Sequence, residues 1–293
     1  MNEKKAPRHW AALVLSSILL LPNPAGAQML PSMEDQPWFQ YFSGYTRRSF
    51  EFGIDNEGQC SLFLIGENNK KRVGDNRTIK IYAEVLVENA DGKTYAKRLK
   101  EDEGFATEMK PGLDHKEVRF TAESTGDAKV GIHVKYDRDR IIMDGRILDP
   151  GTLKEEKIYL AFKVMVPAMY SNTYNSADEK KLKSAMRRDR IKFVRAKDGK
   201  RVSLKSYEEV DLSDEGLARG GVTSLEVTMD GQEGKDFLFS TLDGKGVFDF
   251  ENRYHGKKGA LWKGYYVKWK RLYNKDQKPQ ADEKTTPFVI EIK

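Results

Sequence analysis

The stretch of sequence with the clearest potential for chemistry runs from Trp262 to Tyr273 and alternates aromatic with basic residues. If it forms one strand, Tyr265 and Trp269 share one face while Tyr266 points to the other. Flat rings flanked by polar groups can stack on sugar rings, fill a protein interface or pack in a core. The candidate binding residues are therefore Trp262, Tyr265, Tyr266, Trp269 and Tyr273.

A second aromatic group lies near the N-terminus and comprises Trp38, Phe39, Tyr41 and Phe42. A segment this apolar is unfavourable when it is left in water. We expect it to dock on the protein's own core or on a neighbouring chain, so these four residues are interface candidates.

Histidines offer little support for nucleophilic hydrolysis, in which the base is usually histidine. His115 and His255 lie in polar turns, and His133 faces away from the apolar residues of its strand. No Gly-x-Ser-x-Gly, Ser-x-x-Lys or His-Glu-x-x-His motif occurs. The sequence predicts no catalytic residue and no zinc site. A hydrolase that uses two carboxylates stays open, because acidic residues are numerous and their spacing selects no pair.

Four aspartates crowd into one short segment: Asp137, Asp139, Asp144 and Asp149. Carboxylate oxygens of this kind suit Ca²⁺, but Arg138 and Arg140 compete for the same groups. The predicted interpretation is a solvated loop without a metal ion, and no cofactor is expected elsewhere.

The elements that must position these residues are predicted from a hydrophobic pattern with a period of two residues. Apolar and polar residues alternate along residues 50–54, 79–88 and 158–166, and turns such as Asp91-Gly92 and Asp243-Gly244 separate the runs. Many short strands joined by tight turns are typical of a sandwich or barrel. We predict an all-β fold, an antiparallel immunoglobulin-like β-sandwich.

One segment breaks the period and predicts a short helix over residues 177–189. Ser176 and Glu179 have the spacing of a capping box, and Leu182, Ala185 and Met186 recur at helical intervals. The helix lies on the sandwich or connects two β-domains. Residues 28–293 therefore form one β-region or two that divide near 171–190.

The N-terminus has the three parts of a secretory signal peptide. Lys4, Lys5 and Arg8 precede an uncharged apolar run over residues 10–21, and a small-residue site ends at Ala27. The run is shorter than the roughly 20 residues that a transmembrane helix needs. We predict cleavage after Ala27, export to the periplasm or the cell exterior, and no membrane span in the mature chain.

Charge and cysteine content narrow the function classes further. The net charge is only +6 for 293 residues, and acidic residues interleave with basic ones throughout. A nucleic-acid-binding protein would cluster its positive charge, so this class of partner is not expected.

Cys60 is the single cysteine, which excludes an intramolecular disulfide, and its neighbours Leu62 and Leu64 predict that it is buried.

In general character the mature chain resembles secreted immunoglobulin-like sandwich proteins associated with bacterial pilus and surface assembly. The resemblance implies a non-enzymatic cell-envelope protein that acts through contacts with envelope or surface proteins, or through self-association. The chain lacks the retained hydrophobic N-terminal helix of a type IV pilin. Two alternatives remain: a carbohydrate-binding module that uses exposed aromatic residues, and a secreted hydrolase with two carboxylates.

Overall fold

The structure is a computed structural model, which describes residues 41–66, 78–100, 104–113, 115–170, 179–212, 217–230, 235–252, 259–273 and 286–293. The predicted signal peptide, Trp38, Phe39, Ser176 and His255 lie outside these residues. Within the described part of the chain, no helix is long and apolar enough to cross a membrane.

The elements described before residue 170 are all strands: β1 (Tyr41–Thr46), β2 (Phe50–Asp55), β3 (Cys60–Leu64), β4 (Ile79–Glu88), β5 (Thr94–Arg98), β6 (Gly112–Leu113), β7 (Glu117–Glu123), β8 (Lys129–Asp137), β9 (Arg140–Asp149) and β10 (Lys157–Val166).

The elements described after residue 178 include helices as well as strands: α1 (Glu179–Ala185), β11 (Arg190–Arg195), β12 (Arg201–Lys205), β13 (Glu209–Val210), β14 (Val222–Met229), β15 (Lys235–Thr241), β16 (Phe248–Glu251), β17 (Gly259–Ala260), a 3₁₀ helix (Leu261–Lys263), β18 (Tyr265–Leu272) and β19 (Phe288–Ile292).

All strands but β13 and β17 join one large curled sheet, which has two arms. The first arm runs β6-β1-β2-β3-β4-β10-β18-β16, with β5 beside the second half of β4. The second runs β12-β11-β14-β15-β19-β9-β8-β7. The pairing of Val222 with Phe248 joins the arms at one place, and the bridge between Leu99, after β5, and Ser124, after β7, joins them at another. β1 and β6 pair in parallel, so the sheet is mixed and not purely antiparallel.

The two arms face each other across one hydrophobic core. Tyr45 on β1 stacks on Tyr136 of β8 with ring centroids 4.2 Å apart, and Phe248 of β16 meets Phe288 of β19 at 5.7 Å. The inward residues are those that the period of two selects, because side chains alternate across a strand. The predicted all-β class is confirmed.

A strand that precedes residues 171–190 pairs with a strand from the later part of the chain. β10 lies before this segment and β18 after it, and the two pair along their length from Tyr159 opposite Leu272 to Val166 opposite Tyr265. Apolar side chains from both halves of the chain contribute to the same core cluster.

Helix α1 begins and ends inside the predicted range, and its apolar face is the predicted one. Leu182 and Met186 are buried against the core. Residues 177–178 lie outside the described part, and the predicted continuation to 189 is wrong, because the chain turns before Arg190 begins β11. The Asp189 N–H donates to the carbonyl of Met186, which closes this turn.

The aspartate-rich segment is a correction to the sequence analysis. The predicted loop is the β8–β9 hairpin, with Arg138 at its tip in the left-handed backbone region (φ 55°). Ile141, Met143 and Ile147 point into the core from β9. Charged residues alternate with these buried ones along β9. The sequence analysis therefore interpreted the segment as a polar loop.

Candidate functional site

Two of the predicted binding residues are part of the core. Trp269 is 3% exposed and stacks on Phe162 at 5.3 Å with an interplanar angle of 15°. Tyr265 is 5% exposed and meets Phe250 edge-on. Both point inward from β18, so neither ring is available to a ligand on the outer surface, which corrects the expectation for these two residues.

Tyr266 and Tyr273 are half-buried and lie apart from each other. Tyr266 is on the outer face of β18, where the Lys163 ammonium sits 4.7 Å from its ring centroid. Tyr273 follows β18, its N–H donates to the carbonyl of Ile158, and its ring packs against the edge of the core. Neither residue lines the groove that contains the remaining candidate, Trp262.

The N-terminal interface candidates dock on the protein's own core where the structure describes them. Phe42 is buried against Phe105, with ring centroids 5.1 Å apart. The Tyr41 ring lies over Gly53, where a Cβ atom would approach the ring to 2.6 Å. Glycine is thus required opposite Tyr41 by close packing.

Trp262 is the predicted binding residue that lines a groove, whose volume is about 540 Å³. The indole packs on the core on one side and faces the groove on the other. Helix α1 contributes Leu182 to the groove, and the segment before β13 contributes a second ring, Tyr207. The groove therefore combines an apolar floor with two aromatic rings.

Three local features fix Trp262 in the groove. The Trp262 N–H donates to the carbonyl of Ser206 at 3.0 Å, and β17 pairs with β13 immediately before it. The 3₁₀ helix then ends at Gly264, whose φ of 109° lies in the region that only glycine readily adopts. A Cβ atom at Gly264 would also lie 2.9 Å from the carbonyl oxygen of Val166.

The charged residues of the groove form lysine–glutamate pairs. Lys183 binds Glu179 at 2.6 Å, and Lys263 binds Glu209 at 3.2 Å. The Lys263 ammonium also lies 5.7 Å from the centroid of the Trp262 ring. Opposite charges therefore alternate around the rings, giving hydrogen-bond donors and acceptors at the rim of an aromatic surface.

This set of groups is suited to binding polar molecules with flat apolar faces. Sugar rings have C–H faces that stack on indole and phenol rings, and hydroxyl groups that donate to carboxylates and accept from ammonium groups.

The hydrogen bond from Lys183 lowers the pKa of Glu179 below its ordinary value. Glu179 therefore stays ionised, whereas a glycosidase acid needs a raised pKa.

The described histidines make structural contacts. The Ser43 hydroxyl lies 3.0 Å from Nδ1 of His115, the residue that the sequence analysis placed in a polar turn. This resembles a nucleophile–base pair, but Ser43 is completely buried between strands and its oxygen is not open to a substrate. On the outer face of β8, His133 Nε2 lies 3.1 Å from Glu117.

No group of three His, Cys, Asp or Glu side chains among the described residues could hold a metal ion.

Tyr207 and helix α1 were not predicted as parts of the site. Tyr207 stands in the polar segment Lys205–Glu208, and no periodic signal marks it. The contact depends on β13–β17 pairing between residues about fifty apart in sequence, Glu209 and Ala260. Trp262 was predicted as a binding residue only because aromatic residues are abundant in the segment that it begins.

The chain was compared with known proteins at three levels. No family model, curated protein or solved structure matches it.

Proposed function

We propose that this protein is an exported, non-enzymatic carbohydrate-binding protein that holds its ligand in the groove between α1, the 3₁₀ helix and the segment before β13. The observation that carries the proposal is the presence of Trp262 and Tyr207 in one groove of about 540 Å³. This size lies within the range of roughly 300–1,000 Å³ that is typical of small-ligand sites.

The charges of the groove support a neutral, hydroxyl-rich ligand over a strongly charged one. Glu179 and Glu209 are each paired with a lysine, so the groove presents no single dominant sign. A sugar hydroxyl both donates and accepts, and it can insert between the members of such pairs. An anionic or cationic polymer would instead have to break them.

The test is a titration of the purified mature protein with a glycan panel while tryptophan emission is followed. We expect saturable binding that is weakened at least about fivefold in Trp262→Ala and in Tyr207→Ala, since stacking on one ring contributes about 1–3 kcal/mol. Tyr266→Ala is the matched control, because this half-buried ring lies on the outer face of β18 away from the groove. Binding that all three variants retain would overturn the assignment of the groove.

A second candidate function, assembly through protein contacts, is favoured by one observation. β12 pairs only with β11 among the described strands, so one of its edges is open. The immunoglobulin-like resemblance inferred from the sequence belongs to this candidate. However, Arg201 and Lys205 stand at the two ends of β12, and charges of this kind usually prevent edge-to-edge pairing. Cross-linking of β12 to a partner in the cell envelope would support the candidate.

A further inference from the structure

A second surface with the potential for binding lies on the outer face of the sheet, across β4, β10, β18 and β16. The register of these strands places four side chains in one row: Tyr82, Lys163, Lys268 and Asp249. Residues that are opposite each other in an antiparallel pair have side chains on the same face. Phe162, the neighbour of Lys163 in sequence, points into the core, so the row faces outwards.

The two lysines in the middle of the row form an unfavourable pair. Lys163 and Lys268 are directly opposite each other across the β10–β18 pair, where Cβ atoms lie about 4.5–5.5 Å apart. Like charges in this position destabilise a sheet. Neither ammonium group forms an ion pair among the described residues, and Asp249, at the end of the row, binds Lys270 at 3.2 Å. Two positive charges are therefore held side by side without an ion-pair partner.

Tyrosine rings surround the lysine pair. Tyr82 adjoins Lys163 on the β4 side, and the Lys163 ammonium lies 4.7 Å from the centroid of the Tyr266 ring. Tyr159 stands on the same face of β10, with the Lys270 ammonium 5.7 Å from its centroid. All three tyrosines are half-buried, so part of each ring is open to solvent. The face thus combines flat apolar surfaces with a site for negative charge.

The other charges of this face favour one kind of anion over another. Glu84 and Glu251 also point outwards, from the two strands that flank the β10–β18 pair. A nucleic acid, which has a phosphate at every nucleotide, would bring negative charge against these carboxylates. A chain of sugars with widely spaced carboxylates can instead place one acid group at the lysines and uncharged rings elsewhere on the face.

We propose that this outer face binds an acidic polysaccharide, with one carboxylate of the chain between the Lys163 and Lys268 ammonium groups and the adjoining sugar rings against the tyrosines. The carboxylate accepts a hydrogen bond from each ammonium, which relieves the repulsion between the two. Neither lysine lines the groove of Trp262. The inference goes beyond the proposed function and does not depend on it. Neutral glycans have no such carboxylate, so Tyr266→Ala remains a control for the groove.

The experiment compares a hyaluronan octasaccharide, which has one carboxylate in every second sugar, with its uncharged methyl ester. Calorimetry is performed with the mature Trp262→Ala protein, so that the groove does not contribute. We expect the acid to bind at least about tenfold more tightly than the ester, because hydrogen bonds between charged groups are stronger than neutral ones.

Lys268→Gln in this background should weaken binding of the acid at least about fivefold and change binding of the ester little. Lys157→Gln is the matched control, because it removes the same charge from the same face of β10, where Lys157 is already paired with Glu88. This variant should bind the acid as before.

Three results would overturn the proposal: no binding of the acid, equal affinity for acid and ester, or equal losses in Lys268→Gln and Lys157→Gln. Tighter binding of a single-stranded oligonucleotide that Lys268→Gln abolishes would also overturn it, in favour of a nucleic acid. Each of these results leaves neutral-glycan binding in the groove untouched.

Thermal unfolding without ligand separates binding from a structural role. Lys268→Gln should unfold at the same or a higher temperature, because it removes the repulsion from Lys163. A lower unfolding temperature would show that Lys268 stabilises the fold, and this would count against the proposal.

Discussion

The indole of Trp269 and the ring of Phe162 stack across the β10–β18 pair, and they are directly opposite in its register. Both side chains are buried, and the pair joins the strand before residues 171–190 to the strand after them. Residues from both halves of the described chain therefore build one core. We expect Trp269 to contribute mainly to stability, whereas the proposed function assigns Trp262 to ligand binding.

Trp269→Ala should lower the free energy of unfolding by about 3–5 kcal/mol, because it leaves a large cavity beside Phe162. Trp262→Ala should lower it by only about 1 kcal/mol, since that ring is already partly open to solvent. Denaturant titration of both variants checks this. Similar losses of stability in the two variants would contradict the division of roles between the tryptophans.

Gly264→Ala should destabilise the protein by about 3 kcal/mol, since alanine is strained at a φ of 109° and its Cβ would crowd the carbonyl of Val166. Gly244→Ala is the matched control, because Gly244 also has a positive φ but no other atom lies within 4 Å of the point that a Cβ would occupy there. The control should cost about 1 kcal/mol. Equal costs would show that the contact with Val166 is unimportant.

Stability should decrease on acidification, and Glu88 should contribute to this. The hydrogen bond from Lys157 lowers the pKa of Glu88 below its ordinary value of 4.5. The folded state then binds fewer protons than the unfolded state around that pH, so stability is retained above it and lost as the pH falls through the lowered value. Glu88→Gln should flatten this part of the curve in denaturant titrations from about pH 3 to about pH 7. An unchanged slope would contradict the prediction.

Cys60 should be inert in the native protein. It is buried as the sequence predicted, and burial, together with the nearby charge of Asp55, raises the pKa of its thiol well above the ordinary value. A thiol that is both inaccessible and protonated is a poor nucleophile. Ellman's reagent should react with the thiol only after denaturant is added, and rapid reaction of the native protein would show that this region opens.

Export remains a prediction from the sequence and has a direct test. The secreted or periplasmic protein should have the mass of a chain that begins at Gln28, because the small-residue site ends at Ala27. Ala27→Asp should block processing and leave the precursor, since the cleavage site requires a small residue. A mature protein that retains Met1 would contradict the prediction.

The alternation of apolar and polar residues was sufficient to predict most strands, because each strand must bury one face whatever its partner. It placed the strand of residues 158–166 in the core correctly, and it placed Trp269 and Tyr265 on the same face. It failed for β9, where Arg140, Asp144 and Arg146 separate the inward residues and make the segment as a whole look polar.

The sequence by itself determined the all-β class, the buried state of Cys60 and the apolar face of α1, since these follow from local periodicity. Only the tertiary structure decided which aromatic rings are accessible. Trp262 and Trp269 are chemically identical and close in sequence, but the turn at Gly264 directs one towards a groove and the following strand directs the other into the core. That outcome depends on pairings between distant segments, such as β13 with β17, which local patterns do not encode.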